Sequence, residues 1–180
     1  MELKDIVGYL PYRLEVIVPT ISKTYRGRLV TCFAEKNSFM LSCGAGLFKV
    51  GIEEIKPVLH PMTDLTKSIM VPGYHEDAMF VPLVELARQS LYDVYEYSLK
   101  ILNYPPNCIE IGDGFILQYE GDSFLCLDSE TNEYGPVNNF VLFDLLNHWH
   151  FDDRGLIKSG LAVDVNAMDA VQVGSVVEIR

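Results

Sequence analysis

Potential ligand chemistry clusters in one six-residue run of the chain, His148-Trp149-His150-Phe151-Asp152-Asp153. Imidazole nitrogens and carboxylate oxygens are common ligands of Zn²⁺, and the same groups act as general acids and bases. One interpretation of the run is therefore a metal or acid/base site of a metal-dependent hydrolase, with His148, His150 and Asp152 as the candidate catalytic residues. The other is the polar end of a helix, whose histidines and carboxylates cap and pack the chain.

Helical spacing extends the first interpretation by one turn. Asp144, His148 and Asp152 are four residues apart and would share a face if the helix continued that far, which makes them the candidate metal ligands. A further ligand would have to come from elsewhere, for example His60 or His75. A solvated helix that ends in a histidine beside its own carbonyl groups has the same pattern, and capping or packing is the interpretation we favour.

The remaining motifs do not indicate a reaction. The sequence has no G-x-S-x-G nucleophile elbow, and Gly44-Ala45-Gly46 lacks the further residues of a dinucleotide-binding loop or a P-loop. Its four cysteines form no C-x-x-C pair, so we expect reduced thiols rather than a zinc ribbon. Trp149 and Phe151 are predicted to anchor the core rather than to stack on a ligand. We expect no cofactor.

The charge of the chain is unevenly distributed along it. The net charge is −11; residues 1–56 carry eight basic and six acidic side chains, and residues 57–180 carry six basic and nineteen acidic ones. From Ile101 to Asp153 there are ten carboxylates and neither Lys nor Arg. Because Lys and Arg supply most of the affinity for nucleic-acid phosphates, we expect no nucleic-acid binding. The one weak candidate for such contact is the basic patch of Lys23, Arg26 and Arg28, with Tyr25 between them.

Composition bounds the fold and the compartment. Apolar residues make up 49% of the chain and charged residues 22%, which is typical of a folded globular protein. The sequence begins without a signal-peptide pattern and has no apolar run of about 18 residues, so we expect a cytoplasmic protein with no membrane contact.

Periodicity predicts an N-terminal region made mainly of strands. Leu3 to Leu10 has the spacing of a short amphipathic helix. Alternating and β-branched residues then predict four strands, at Leu14–Val18, Arg28–Ala34, Phe39–Ser42 and Leu47–Ile52. The two prolines in Lys56–Leu65 indicate a connector.

Helices and one hairpin are predicted for the remainder. A short helix through Ile69 is followed by a longer one over Pro82–Lys100, and later by the most strongly indicated helix, which begins at Asn138 or Asn139. Between the last two helices, Phe115–Tyr119 and Phe124–Leu127 predict a β-hairpin, followed by a polar loop. The chain then resumes a helix briefly at Arg154–Ser159, ends it at Gly160, and forms one more strand over Leu161–Val165; the tail Val171–Ile179 is β-prone.

Taken together, these elements predict a single α+β domain over residues 1–180. It would contain a small antiparallel N-terminal sheet, a helical middle, a C-terminal hairpin and a buried amphipathic helix that carries Trp149. Two lobes are possible within it, a mainly β lobe over residues 1–60 and a mixed α/β lobe over residues 61–180.

Two stretches of the sequence resemble a known group of proteins. Lys56-Pro-Val-Leu-His-Pro-Met-Thr-Asp-Leu65 and the stretch Phe143 to Asn166, which contains Asn-His-Trp-His-Phe-Asp-Asp-Arg-Gly, resemble uncharacterised small proteins encoded by phages and integrated mobile elements of Bacteroidetes. The resemblance covers 34 of 180 residues and departs at the tail from Ala167. It implies an origin in a mobile element and carries no activity, cofactor or site residue with it.

Charge asymmetry, the absence of catalytic motifs and this resemblance favour a non-enzymatic accessory protein that acts through protein contacts on its acidic face. Two alternatives remain open: the metal-dependent hydrolase described above, and an acidic nucleic-acid mimic that occupies a basic protein. The sequence leaves the identity of the partner and the oligomeric state open.

Overall fold

The computed structural model describes residues 1–44, 46–90, 98–112 and 114–171, and the chain divides into two compact units. The first unit combines Met1–Pro61 with Asn147–Arg180, and the second is Met62–Leu146. The predicted α+β class is confirmed, because the described residues form a six-stranded sheet, a five-stranded sheet and four α-helices. The first break between units lies where the two lobes were expected to meet, but the return to the first unit at Asn147 was not predicted.

The N-terminal helical segment of the first unit has two parts. Helix α1 spans Leu3–Ile6 and continues as a 3-10 helix over Val7–Tyr12. Of the predicted apolar spacing, Leu3, Ile6, Val7 and Leu10, only Ile6 is fully buried, and Val7 is 52% exposed; Tyr9, which was not predicted, is fully buried beside Ile6. The tighter 3-10 turns contain Pro11, which has no N–H to donate to an α-helical bond.

The sheet of the first unit is built mainly from consecutive antiparallel strands. Its strands are β1 (Glu15–Pro19), β2 (Thr24–Phe33), β3 (Ser38–Cys43), β4 (Gly46–Gly51), β5 (Lys56–Leu59) and β11 (Val163–Asp164), in the order β11-β5-β1-β2-β3-β4. Strand β11 pairs with β5 in parallel, and the other pairs are antiparallel. Val16 and Val18 of β1 are buried while their neighbours are more exposed, as expected of a strand with one face on the core.

The connector predicted for Lys56–Leu65 is wrong in its first half, because Lys56–Leu59 forms strand β5. Pro57 is tolerated there because it faces only β1, opposite Val16, and the pairing with β11 begins one residue later at Val58. Strand β11 is shorter than the predicted Leu161–Val165, and helix α4 (Val165–Val171) follows it. The rest of the β-prone tail, from residue 172, lies outside the described residues.

The second unit has fewer helical residues than predicted. A 3-10 helix at Met62–Asp64 replaces the predicted short α-helix, and Ile69 forms a β-bridge with Phe80 instead of a helical turn. Helix α2 spans Pro82–Ser90 and does not reach Lys100, which lies in strand β6. The part of that prediction over residues 91–97 lies outside the described residues.

The five-stranded sheet of the second unit is antiparallel. Its strands are β6 (Leu99–Leu102), β7 (Cys108–Ile111), β8 (Phe115–Glu120), β9 (Ser123–Asp128) and β10 (Glu133–Gly135), and they follow chain order across the sheet. Strands β8 and β9 are joined by a two-residue turn in which Gly121 has a φ of 67°, a position where type II′ turns take glycine. The polar loop predicted after β9 contains β10.

Helix α3 spans Asn139–His148, as the N-cap signal indicated. Asn138 Oδ1 accepts a hydrogen bond from the Val141 N–H (3.4 Å), while the Asn139 side chain bonds both backbone groups of Phe124. Among the described residues, no helix has the length and apolar character required to cross a bilayer.

Candidate functional site

The predicted row of ligands on one helix face is not formed, because helix α3 ends at His148. His150 adopts the left-handed conformation (φ 56°), and its N–H donates to the Asn147 carbonyl oxygen (3.1 Å). A left-handed residue just after a helix redirects the chain. Asp152 therefore lies outside the helix and does not share a helix face with His148. The helix predicted to resume at Arg154–Ser159 is a series of turns.

Both histidines of the run contact Tyr12 in the first unit. The His148 ring stacks on the Tyr12 ring, with centroids 4.5 Å apart and planes inclined by 8°. His150 Nε2–H donates to the Tyr12 carbonyl oxygen (2.9 Å). Burial lowers the pKa of His150 to about 4, against the opposing effect of its bond to Tyr12, so the ring is neutral at pH 7. The two imidazoles hold the segment that leads into β1.

The two aromatic residues of the run anchor the core, as predicted. Trp149 and Phe151 are both fully buried. Phe151 forms a parallel β-bridge with His60: the His60 N–H donates to the His150 carbonyl oxygen and the Asp152 N–H donates to the His60 carbonyl oxygen, each at 2.8 Å. This bridge joins the returning chain to the residue that follows β5.

The carboxylate of Asp152 binds backbone rather than facing an open cleft. It is 8% exposed. Its Oδ1 accepts from the Leu156 N–H (2.7 Å) and its Oδ2 accepts from the Ile157 N–H (2.8 Å). Asp152 therefore stabilises the turn that follows it, in the manner of a capping residue.

Asp153 binds the phenol of Tyr9. The Tyr9 hydroxyl donates to Asp153 Oδ1 (2.7 Å) and also lies 2.9 Å from the Phe151 carbonyl oxygen. Burial raises the pKa of both groups, with the carboxylate raising that of the phenol further. Arg154 completes the contact: its Nε lies 3.7 Å from Asp153 Oδ1, and its Nη1 donates to the Lys4 carbonyl oxygen (2.5 Å).

We call the group formed by Tyr9, Tyr12, His60 and His148–Arg154 the helix-end network. Its hydrogen bonds tie backbone segments of the first unit together. The described residues include no group of three or more His, Cys, Asp or Glu side chains arranged to hold a metal ion. Of the other candidate ligands, Asp144 is exposed on α3, and His75 lies 3.8 Å from Glu85 in the second unit.

The predicted basic patch is divided between the two faces of β2. Arg26 and Arg28 are two residues apart on the strand and therefore share a face. Lys23 lies with its Nζ 4.3 Å from the ring centroid of Tyr25, which belongs to the opposite face. The third cation beside Arg26 and Arg28 is Arg13, which the sequence analysis missed. Alternation along β2 predicts that Arg26 and Arg28 share a face. Arg13 itself adopts the left-handed conformation (φ 56°) just before β1, and this chain reversal, which has no simple sequence signal, brings it beside them.

The second unit holds the excess negative charge of the chain. Residues 62–146 contain 14 carboxylates and 3 cations, a net of −11, so the first unit, with 11 of each, is neutral. Each of the three cations lies beside a carboxylate of its own unit. The pairs are Lys67 with Asp64 (2.5 Å), Arg88 with Glu85 (2.6 Å) and Lys100 with Glu110 (3.7 Å).

Exposed carboxylates lie at both ends of the β8–β9 hairpin. Glu120 and Asp122 flank Gly121 at the turn, and Glu130 and Glu133 lie beyond the opposite end of β9. Six-residue strands separate these ends by roughly 20 Å. The surface formed by these four side chains is called the acidic surface below.

The helix-end network and the acidic surface are described from the residues of this chain alone. Its comparison with protein-family models, with curated proteins and with solved structures gives no match.

Proposed function

We propose that the protein is a non-enzymatic accessory protein of a bacterial mobile element, which binds a basic partner protein through the acidic surface of its second unit. The observation that carries this proposal is the charge of residues 62–146, a net of −11 in which the three cations already lie beside carboxylates. Such a surface attracts a cationic protein and repels polyanions.

The position of the charges supports binding rather than a structural role. Glu120, Asp122, Glu130 and Glu133 are exposed, and they extend over the length of a hairpin instead of converging on one point. Dispersed carboxylates bind an extended cationic surface better than they bind a single ion. The helix-end network supports the non-enzymatic part of the proposal, because its polar groups are engaged within the fold. His150 and Asp152 bond backbone groups, Asp153 accepts from the Tyr9 phenol, and His148 stacks on the Tyr12 ring.

A salt-controlled capture experiment tests the proposal. The chain is immobilised, exposed to lysate of a bacterial host, and eluted with increasing salt. We expect a basic protein to be retained at low salt and released at high salt, because contacts between exposed charges are screened within about 10 Å at 0.1 M ionic strength. Retention should be lost in Glu120→Gln/Glu133→Gln and kept in Glu35→Gln/Glu53→Gln, which removes the same number of exposed carboxylates from the first unit.

Three outcomes of this experiment would contradict the proposal. It fails if folded protein captures nothing, or if capture is insensitive to salt. It also fails if both double variants lose the partner to the same extent, since binding would then depend on total charge rather than on the acidic surface.

The nucleic-acid mimic is the narrower form of the same proposal. Its motivation in the sequence is the ten carboxylates from Ile101 to Asp153 without a basic residue. Asp152 and Asp153 are turned inward in the first unit, so the mimic would use the carboxylates of the second unit. In this form the partner's basic surface is its nucleic-acid site, so a synthetic DNA duplex should displace the partner from the immobilised chain. Simultaneous binding of both would exclude the mimic and leave the broader proposal intact.

A further inference from the structure

A cavity of about 880 Å³ opens on the first unit, above the face of β1, β2 and β3 that carries Arg26 and Arg28. Its polar lining includes Arg13, Glu15, Arg26, Arg28 and Ser42. The volume lies within the roughly 300–1,000 Å³ of small-molecule sites. We propose that this cavity, the arginine groove, binds a small organic phosphate.

Strand register explains why the charges converge. Glu15 on β1 lies directly opposite Arg28 on β2, which lies opposite Ser42 on β3, so the three form one row across the sheet. Arg26 is two residues along from Arg28 on the same face and forms an ion pair with Glu15. Arg13, at the end of the 3-10 helix, lines the same cavity from outside the sheet.

The lining has the charge of a phosphate receptor. Three guanidinium groups and one carboxylate give a net of +2 in a unit whose total charge is zero. Glu15 neutralises Arg26, whereas Arg13 and Arg28 are exposed and form no ion pair with any residue the structure describes. A guanidinium presents paired N–H donors that match the oxygens of a phosphate, and a phosphate monoester carries a charge of roughly −1.5 to −2 at pH 7.

The apolar part of the lining favours an organic phosphate over a free ion or a nucleic acid. Leu10, Pro11 and Val30 border the cavity beside the arginines and supply contact for the uncharged portion of the ligand. A duplex would need about six to ten phosphate contacts for strong binding, and the chain's charge of −11 would oppose it. The groove lies wholly within the first unit, so this inference is independent of the acidic surface.

Titration with defined probes at constant ionic strength tests the inference. Adenosine monophosphate, inorganic phosphate and uncharged adenosine are each added up to about 10 mM, a range that detects even weak sites. We expect the monophosphate to bind most tightly, phosphate more weakly and adenosine not measurably. Binding of phosphate as tightly as of the monophosphate would assign the site to the free ion and overturn the organic part of the inference.

Matched variants locate the site. Arg13→Gln/Arg28→Gln should weaken monophosphate binding by about 100-fold, tenfold for each charge-assisted contact. Lys36→Gln/Lys158→Gln removes two exposed cations of the same unit from outside the groove and should leave the affinity within about twofold of the wild type. Circular dichroism establishes that each variant is folded.

A third variant gives an effect of the opposite sign. Glu15→Gln removes the only carboxylate of the groove's lining and raises its net charge from +2 to +3, so it should tighten monophosphate binding by about threefold. The inference is overturned if the wild type binds none of the probes, if Arg13→Gln/Arg28→Gln binds as well as the wild type, or if Glu15→Gln weakens binding.

Discussion

Two groups of carboxylates, one in each unit, have different surroundings. In the first unit, Asp152 and Asp153 are turned inward, where they accept bonds from backbone N–H groups and from the Tyr9 phenol. In the second unit, Glu120, Asp122, Glu130 and Glu133 face solvent. The same residue type therefore maintains structure in one unit and forms a charged surface in the other.

The loss of a carboxylate should therefore have a different effect on stability in each group. A buried acceptor that disappears leaves its donors unsatisfied, and each such donor costs about 1–3 kcal/mol. A surface carboxylate in a unit of net charge −11 loses mainly repulsion when it is neutralised. Substitution of Asp152 or Asp153 should therefore lower stability, and substitution of carboxylates in the acidic surface should change binding.

Replacement of Asp152 is expected to have the largest effect. Asp152→Ala removes the acceptors of the Leu156 and Ile157 N–H groups and should lower the free energy of unfolding by about 3–5 kcal/mol. Urea unfolding followed by fluorescence of Trp149, the single tryptophan, measures this in the first unit. Asp122→Ala is the matched surface control, and circular dichroism should show a change within about 0.5 kcal/mol. Equal losses of stability in the two variants would show that the buried and the exposed carboxylate contribute alike, and would contradict the distinction drawn here.

Removal of the Tyr9 hydroxyl should have the next largest effect. Tyr9→Phe keeps the buried ring but takes the donor from Asp153 and from the Phe151 carbonyl group, at a cost of about 2 kcal/mol. Tyr134→Phe is the control, because Tyr134 is 67% exposed on β10 of the second unit. We expect no measurable change in the stability of Tyr134→Phe. A Tyr9→Phe protein as stable as the wild type would contradict the role given to the helix-end network.

Acid should weaken the first unit through His150. Burial lowers its folded-state pKa to about 4, below the ordinary value of 6.5, so the unfolded chain binds the proton more readily between these limits. The stability that depends on a neutral His150 is nearly complete at pH 7 and falls by roughly 2 kcal/mol as the pH drops to about 4.5. His60, His148 and Glu15 act on the same ring and set the remaining slope.

The contribution of His150 is isolated by substitution. The raised pKa of Asp153 acts in the opposite direction, so the wild-type curve alone is ambiguous. The difference between wild type and His150→Gln, measured by urea unfolding from pH 4 to pH 7, should shrink as the pH falls. A parallel pH dependence of wild type and His150→Gln would exclude this account.

Much of the fold was predictable where local patterning dominates. Strands β1 to β4 and helix α3 follow from alternation and from the asparagine cap, and the charge contrast was visible in residue counts. The strand at Lys56–Leu59 was missed because two prolines suggest a connector, whereas its pairing with β1 depends on the tertiary fold. Propensity cannot report a partner strand about 40 residues away.

The site residues also divide into those that the sequence predicts and those that depend on tertiary contacts. The burial of Trp149 and Phe151 follows from their large aromatic side chains, although the helix predicted to carry Trp149 ends one residue before it. The termination of α3 does not, because histidine is an unusual residue for a left-handed cap and the conformation of His150 is imposed by its bonds to Asn147 and Tyr12. Only part of the arginine groove was predictable from the sequence. Arg26 and Arg28 share a face by alternation along one strand, but the position of Arg13 is set by the chain reversal before β1.

Neutralising the acidic surface should have the smallest effect on stability. Glu120→Gln/Glu133→Gln is expected to change the free energy of unfolding by less than about 0.5 kcal/mol, or to raise it slightly by relieving repulsion. Asp128 is left intact in this test because it differs from its neighbours: backbone N–H groups of Thr131 and Glu130 bind its carboxylate and lower its pKa. Urea unfolding followed by circular dichroism measures the change. A loss above about 1 kcal/mol would mean that these exposed carboxylates also maintain the fold, and the contrast between the two units would then be one of degree.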